Sequence, residues 1–449
     1  MTVPHQSPSH SPVTADLGFY SSTVTTSPTR PARSRSCSLS CSPGGSVVAL
    51  SCSHSCPGPS RRRGRRRGRA ADAARRLLVR LAGFVGRRPE SRLRRPSCHG
   101  HRHAPGEKVP AGEPVKVTAS GGRLTSVTVT DGEGHRLAGK VAADGRSWVS
   151  DRKSVPGAAY SVTAATRSDG GTAKSTRAAF TTAEAGKVNK VDWRPGTGTT
   201  VGVAQPISLV FDNPVKNRAE VEKQLRITTS NDTEGSWGWM RDWSGRDRVD
   251  WRPKEYWKPG TKVTLNARLN GTDSGAAGGW FVRDYTTTFT IGARQVVKVD
   301  LDDHRLTLVR DGETVRRIPV SGGTPGGDKR SWRGTAVLMA KEGTINMNSE
   351  TVGLADAYDK MVDHSMRLTW SGMYAHAAPW NARYFGNSNH SSGCIGMSDA
   401  NASWFYAQVR PGDPFEIKGK DTKGVVAPGN GFGAWNVPWS EWQGMSALR

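Results

Sequence analysis

Two segments of this sequence hold residues that suit nucleophilic catalysis. One is Ser371-Gly372-Met373-Tyr374-Ala375-His376-Ala377-Ala378-Pro379-Trp380; the other is Asn389-His390-Ser391-Ser392-Gly393-Cys394-Ile395-Gly396-Met397-Ser398. A thiol attacks a carbonyl as thiolate, so Cys394 needs a base or cation beside it to draw its pKa down from about 8.5. A histidine brought alongside by the fold does this, and later returns the proton to a leaving amine. Gly393, directly before the cysteine, permits a sharp turn in which successive backbone N–H groups face one point. Such donors form an oxyanion hole worth roughly 3–4 kcal/mol each. On these residues alone two readings stay open, a reactive thiol or a buried inert one, because Ser-Gly-Cys also arises by chance.

The rest of the chain narrows the setting. It has 449 residues and a formal net charge of +25, a length that implies two to four compact units. Residues 1–105 carry 19 Lys and Arg against 3 Asp and Glu, so +16 of that charge lies in this segment and +9 in the remaining 344 residues. The excess is a tail property, not the mark of a nucleic-acid-binding domain, and no specific nucleic acid is expected as a partner. Cys37, Cys41, Cys52, Cys56 and Cys98 lie in the same tail, which leaves Cys394 alone among the segments that look folded. Residues 1–111 read as a low-complexity basic extension, too poor in apolar surface to order itself. Its run Arg61-Arg62-Arg63-Gly64-Arg65-Arg66-Arg67-Gly68-Arg69 is read as part of that tail. Cys98-His99-Gly100-His101-Arg102-His103 lacks a second half at zinc spacing and carries no metal expectation. Nothing resembles a membrane span or an export signal, since the apolar stretch at 77–85 is broken by Arg80.

From about 112 the texture becomes alternating β-formers with Asp-Gly and Gly-Gly turns, and the pattern repeats. Trp148 precedes Pro156-Gly157 by eight residues and Trp251 precedes Pro259-Gly260 by eight; an alternating strand follows each pair. Two immunoglobulin-like sandwiches, 112–184 and 185–293, fit this. Trp237, Trp239, Trp243, Trp251 and Trp257 suit either a sugar-stacking surface or a core, and core or interface is the expectation. A third β-rich region, 294–418, opens with strands at 296–300 and 305–309, a turn at Asp311-Gly312 and a return strand at 315–320. Gly-rich 321–327 lacks the ending of a phosphate loop and reads as a connection. Residues 419–449, with Trp435, Trp439 and Trp442, are expected to pack back on this third region.

With these features together the sequence resembles the L,D-transpeptidases, cysteine acyltransferases of bacterial peptidoglycan. The resemblance covers about 112–418 and is strongest from Tyr358 to Glu416. The family's histidine stands in a His-Ser/Ala-Ala-Pro-Trp context, followed 18 residues on by the cysteine of Ser-His-Gly-Cys, and His376 and Cys394 are 18 apart. The family's next segment is matched by Ser398-Asp399-Ala400-Asn401-Ala402-Ser403-Trp404-Phe405-Tyr406 and Gly412-Asp413.

The resemblance implies a mostly β protein whose catalytic domain carries one short helix near 398–410. It makes His376 the general base and acid and Cys394 the nucleophile. Ser392 and Gly393 would support the oxyanion site, while Tyr358, Ser371, Gly372, Gly396, Met347 and Trp380 would line the substrate site. Two positions depart from the pattern: Ser392 stands where the family has histidine, and Gly396 where many relatives have asparagine. His390 is near enough in sequence to replace the missing ring in part. The implied reaction is attack of Cys394 on the third residue of a tetrapeptide stem and release of D-alanine. Transfer to the side-chain amine of a neighbouring stem follows. Water as acceptor would make the chain a carboxypeptidase; loss of activity through Ser392 would leave a wall-binding protein. No cofactor or metal is called for, since thiolate attack, proton transfer and N–H donors suffice. The expected setting is extracytoplasmic, in the cell envelope, as a monomer. Carbapenems would be inhibitors and anionic wall polymers possible partners of the residual positive charge.

Overall fold

The computed structural model describes residues 97–99, 108–353 and 358–449. The arginine run and the side chains of the 98–103 cluster lie outside the described residues.

The first sandwich faces one four-stranded sheet (Ser97–His99, Pro114–Ser120, Ser147–Lys153, Gly139–Val141) with another (Lys108–Val109, Ala173–Thr182, Ala159–Arg167, Arg123–Asp131). Val117, Val127, Val129, Trp148 and Tyr160 fill the space between. Their alternation along each strand turns one face of each sheet inward. The structured region begins earlier than the expected residue 112. Ser97–His99 pairs antiparallel with Thr118–Ser120, and Lys108–Val109 parallel with Thr181–Thr182. Both occupy sheet edges, where unpaired backbone donors and acceptors await a partner strand.

The second sandwich is larger and better filled. Ile207, Leu209, Phe211, Val249, Val263, Leu265 and Phe289 form its centre. Trp237, Trp239, Trp251 and Trp257 are buried in it, as a core reading requires. Two of them also bond through the ring nitrogen: Trp239 Nε1 donates to Glu222 Oε2 at 2.8 Å and Trp257 Nε1 to the Gln205 carbonyl at 2.8 Å. Trp243 is the exception at 57% exposed, because it sits in the tight turn between Gly235–Arg241 and Asp247–Pro253.

The third region is built from β1 (Gln295–Asp300), β2 (Arg305–Arg310), β3 (Glu313–Pro319), β4 (Gly334–Val337), β5 (Ala340–Asn348), β6 (Asp359–Arg367), β7 (Tyr374–Ala377), β8 (Ile395–Met397), α1 (Asp399–Gln408) and β9 (Pro414–Lys418). One sheet has the order β3-β2-β1-β9-β4 and the other β5-β6-β7-β8. β2 and β3 form the expected hairpin; Asp311 and Gly312 both have positive φ, at 50° and 93°, as its tight turn demands. The side chain of Ser398 caps α1 by accepting from the Asn401 N–H. Leu306, Leu308, Ile318, Met366, Ala375, Ile395, Phe405 and Phe415 close the core between the two sheets and the helix.

The C-terminal segment corrects an expectation. Its tryptophans settle on the second sandwich, while the chain between them touches the catalytic region. Trp442 is fully buried and donates to the Ser236 carbonyl at 3.0 Å. Trp435 donates to the Ala204 carbonyl at 2.8 Å. Arg252, of the second sandwich, lies within 5.0–5.2 Å of the ring centroids of Trp435, Trp439 and Trp442. Its guanidinium donates to the Pro253, Lys254 and Val437 carbonyls and has no carboxylate partner among the described residues, so carbonyl oxygens and three aromatic faces together supply the negative potential it needs. On the catalytic side Asn436 bonds both the N–H and the carbonyl of Thr335, at 2.7 and 2.9 Å. Buried Arg248 binds Asp250 and donates to the Gly431 carbonyl at 2.8 Å, so the segment seams the two regions together.

Candidate active site

His376 is on β7 and Cys394 immediately precedes β8, and these strands run parallel with Ala375 opposite Ile395 and His376 opposite Gly396. Because side chains alternate, Ala375, Ala377, Ile395 and Met397 enter the core, and His376 is turned to the other face. Both chemical groups are buried, His376 at 5% and Cys394 at 8% exposure.

The histidine's tautomer follows from one contact. His376 Nδ1 lies 2.6 Å from the Ala377 carbonyl. A carbonyl only accepts, so Nδ1 carries the proton and Nε2 keeps a free lone pair, the form a general base needs. Burial pushes the imidazole down to about 4 against the pull of that carbonyl. Burial also pushes the Cys394 thiol up to about 11, with the Tyr374 backbone N–H acting in the opposite direction. Burial thus disfavours both the thiolate and the imidazolium in the resting site.

The sulfur is aimed by the loop before β7. Cys394 Sγ donates to the Gly372 carbonyl at 3.6 Å. That loop is held in turn by Asn430, which accepts from the Ser371 N–H at 2.8 Å and donates from Nδ2 to Ser371 Oγ at 2.8 Å. Trp332 Nε1 adds a third contact to Ser371 Oγ at 3.1 Å. The Ser371 hydroxyl is thus spent on holding the loop. Gly372 is the member of the pair that meets the sulfur.

The cysteine turn has the expected glycine geometry, since Gly393 has φ +117°, a region closed to most side-chain-bearing residues. Its N–H, however, goes to Ser391 Oγ at 3.1 Å, and Ser391 Oγ donates to the Cys394 carbonyl at 2.6 Å. Ser392 is half-buried in the same turn. The exposed ring of His390 lies 4.1 Å from that of Tyr384, centroid to centroid. That contact commits the ring to Tyr384 and leaves it no visible role in the buried pair. Gly396 exchanges both backbone bonds with Ser321 at 2.9 Å. A Cβ there would stand 2.9 Å from that of Ala378, so packing accounts for the missing side chain.

The remaining expected residues are Tyr358, Met347 and Trp380. Burial, with the Cys394 charge second, pushes the Tyr358 phenol up to about 12. Tyr358 leads into β6, and β5 pairs Met347 with Lys360 of β6. Lys360 Nζ lies 4.7 Å from the Trp380 ring centroid, and that ring stacks 6.1 Å from His376. The β5–β6 hairpin is thereby linked to the mouth of the site through Lys360 and Trp380.

Sequence reasoning missed Asn430, Trp332 and Tyr374. Asn430 stands in Pro428-Gly429-Asn430-Gly431, which spells a turn and says nothing of a partner 59 residues earlier. Tyr374 was visible as an aromatic two residues from His376, yet its bond from the phenol oxygen to Glu342 Oε2 at 3.0 Å needs the fold.

Comparison with known proteins points to one family. Residues 294–417 match the L,D-transpeptidase catalytic domain, and residues 106–273 match a bacterial Ig domain. L,D-transpeptidase 2 of Mycobacterium tuberculosis is 33% identical over 343 residues, covering 74% of this chain and 81% of the relative. L,D-transpeptidase 5 of the same species is 31% identical over 336 residues, covering 75% and 73%. A solved L,D-transpeptidase from Mycobacterium smegmatis is 34% identical, covers 51% of this chain and 99% of its own, and superposes with a TM-score of 0.41.

Proposed function

The chain belongs to the L,D-transpeptidase family, and from that premise we propose that Cys394 forms an acyl-enzyme with a peptidoglycan stem peptide and His376 moves the protons. The observation that carries this reading is the pairing of β7 with β8, which sets a neutral Nε2 base and a buried thiol on neighbouring strands. As Cys394 Sγ attacks the carbonyl carbon of the third stem residue, its proton passes to His376 Nε2. The carbonyl oxygen becomes an oxyanion held by backbone N–H groups of the cysteine turn. Collapse breaks the C–N bond, and His376 hands its proton to the departing D-alanine amine. A thioester remains. The side-chain amine of a neighbouring stem attacks it and loses a proton to His376. The C–S bond breaks, and the thiol is restored. The product is a crosslink between third residues, and the work is extracytoplasmic, in the cell wall.

The test is intact-protein mass of the full chain after mixing with a carbapenem, beside Cys394→Ala and His376→Ala. One drug mass is expected on the wild type, none on Cys394→Ala, and adduct formation slowed by roughly 10²–10⁴-fold in His376→Ala. A folded wild type that forms no adduct would refute the acyl-enzyme reading and favour a wall-binding protein in which Ser392 has silenced the site.

A further inference from the structure

We propose that Ser331 is a positioning residue for acylation: by holding the Gly393 carbonyl it orients the Gly393–Cys394 peptide, so that the Cys394 N–H serves as an oxyanion donor. The inference rests on the acyl-enzyme reading above and adds to it a residue outside the Cys/His signature.

Ser331 is 1% exposed and uses its hydroxyl in both directions. It accepts from the Gly323 N–H at 2.8 Å and donates to the Gly393 carbonyl at 2.8 Å. The Gly-rich connection, which carries no phosphate-binding logic, is therefore the base of a clamp. Its closeness requires glycine, because a Cβ at Gly323 would fall 2.1 Å from the Lys329 carbonyl oxygen. Ser391 and Gly323 also bridge as strand partners, and the Thr324 N–H donates to the Ser391 carbonyl at 2.9 Å, so the clamp and the cysteine turn form one unit.

The consequence follows from peptide geometry. In a trans peptide the C=O of one residue and the N–H of the next point in opposite directions. With the Gly393 carbonyl drawn onto Ser331, the Cys394 N–H is directed away from the Gly-rich loop. The Gly393 N–H is already given to Ser391 Oγ. Of the two peptide N–H groups flanking Gly393, the one left for a developing oxyanion is that of Cys394. Gly393 is also the residue whose conformation most needs an external hold, since a glycine at φ +117° has no Cβ to limit its rotation.

The experiment compares two reactions of Cys394 in the full-length protein, wild type against Ser331→Ala and Ser331→Thr. Carbapenem acylation passes through an oxyanion; alkylation by iodoacetamide, read at the Cys394 peptide by mass spectrometry, does not. Ser331→Ala is expected to slow acylation by about 10- to 100-fold, near the lower end of what loss of an oxyanion donor costs. Alkylation should stay within about twofold, and Ser331→Thr, which keeps the hydroxyl, should recover most of the loss. Acylation of Ser331→Ala at the wild-type rate would overturn the inference. So would equal slowing of both reactions, the mark of a side chain that only keeps the loop folded. If Ser331→Ala lacks a cooperative thermal transition, Ser331→Cys, close in size with a weaker donor, gives the same two-reaction comparison. A wild type that alkylates at Cys394 yet forms no carbapenem adduct would overturn the acyl-enzyme reading and this inference together; the other outcomes reach only the inference.

Discussion

Asp413 should make this protein less stable as pH rises from about 4 to about 6, the opposite of what most carboxylates do. It is fully buried at the seam between the second sandwich and the catalytic region. Its Oδ2 accepts from Gln295 Nε2 at 2.6 Å and from the Arg410 N–H at 2.9 Å, while buried Oδ1 has no partner. Oδ1 lies against Gly202, where a Cβ would stand 2.4 Å from it. Burial pushes the carboxyl from 3.8 up to about 6; the bonds from Arg410 and Gln295 and the charges of Arg410 and Arg310 oppose it. Of the other groups packed here, Lys341 is the cation whose own charge Asp413 favours. The folded state thus binds the proton more tightly than the unfolded state. Below pH 4 both states are protonated and Asp413 is neutral to stability. Between 4 and 6 the unfolded chain ionises first, and folding loses ground. Above 6 a constant penalty remains, about two pKa units or roughly 3 kcal/mol. Asp413→Asn keeps the shape and removes the ionisation. The stability gap between variant and wild type should therefore grow by about 3 kcal/mol from pH 4 to pH 7, about 6 °C in the midpoint of the transition that opens this seam. Thermal melts of both proteins across that range read the gap directly. A gap that stays constant, or narrows, would refute the claim that desolvation outweighs the arginines.

The buried thiol predicts that iodoacetamide alkylation of Cys394 accelerates close to tenfold per pH unit through pH 10, where an ordinary cysteine levels off near 8.5. A plateau near neutrality would instead reveal a preformed thiolate–imidazolium pair. Trp442→Ala removes a fully buried ring and the donor to the Ser236 carbonyl. It should cost about 3–5 kcal/mol and open 419–449 to trypsin; a loss under about 1 kcal/mol with an uncut segment would contradict its placement on the second sandwich.

Much of the fold was legible because its rules are local. Alternating residues wrote the strands and Asp311-Gly312 wrote a hairpin, while the helix that follows β8 was expected from the family resemblance alone. The tryptophan repeat at Trp148 and Trp251 marked two sandwich cores, since a large ring eight residues before a Pro-Gly turn falls at the same depth in each. Placement of the C-terminal tryptophans was not legible. An aromatic cluster states that it needs a covered face, not which one; the Arg252 guanidinium, which donates to the Val437 carbonyl and lies against three of the rings, and the gap beside Gly238 decided it.

For the site the division is similar. Residue type determined what chemistry was possible: one cysteine outside the tail, one histidine at the right remove, one glycine able to turn the chain before the sulfur. Tertiary structure alone decided the rest. It left the His376 Nε2 lone pair free by giving Nδ1 the Ala377 carbonyl, disfavoured charge on both side chains by burying them, and spent the Ser371 hydroxyl on a loop. It also brought Ser331 and Asn430 to the cysteine turn and the Gly372 loop from 62 and 59 residues away. Hydrogen-bond partners and local dielectric depend on which surfaces meet, and no spacing along the chain encodes that.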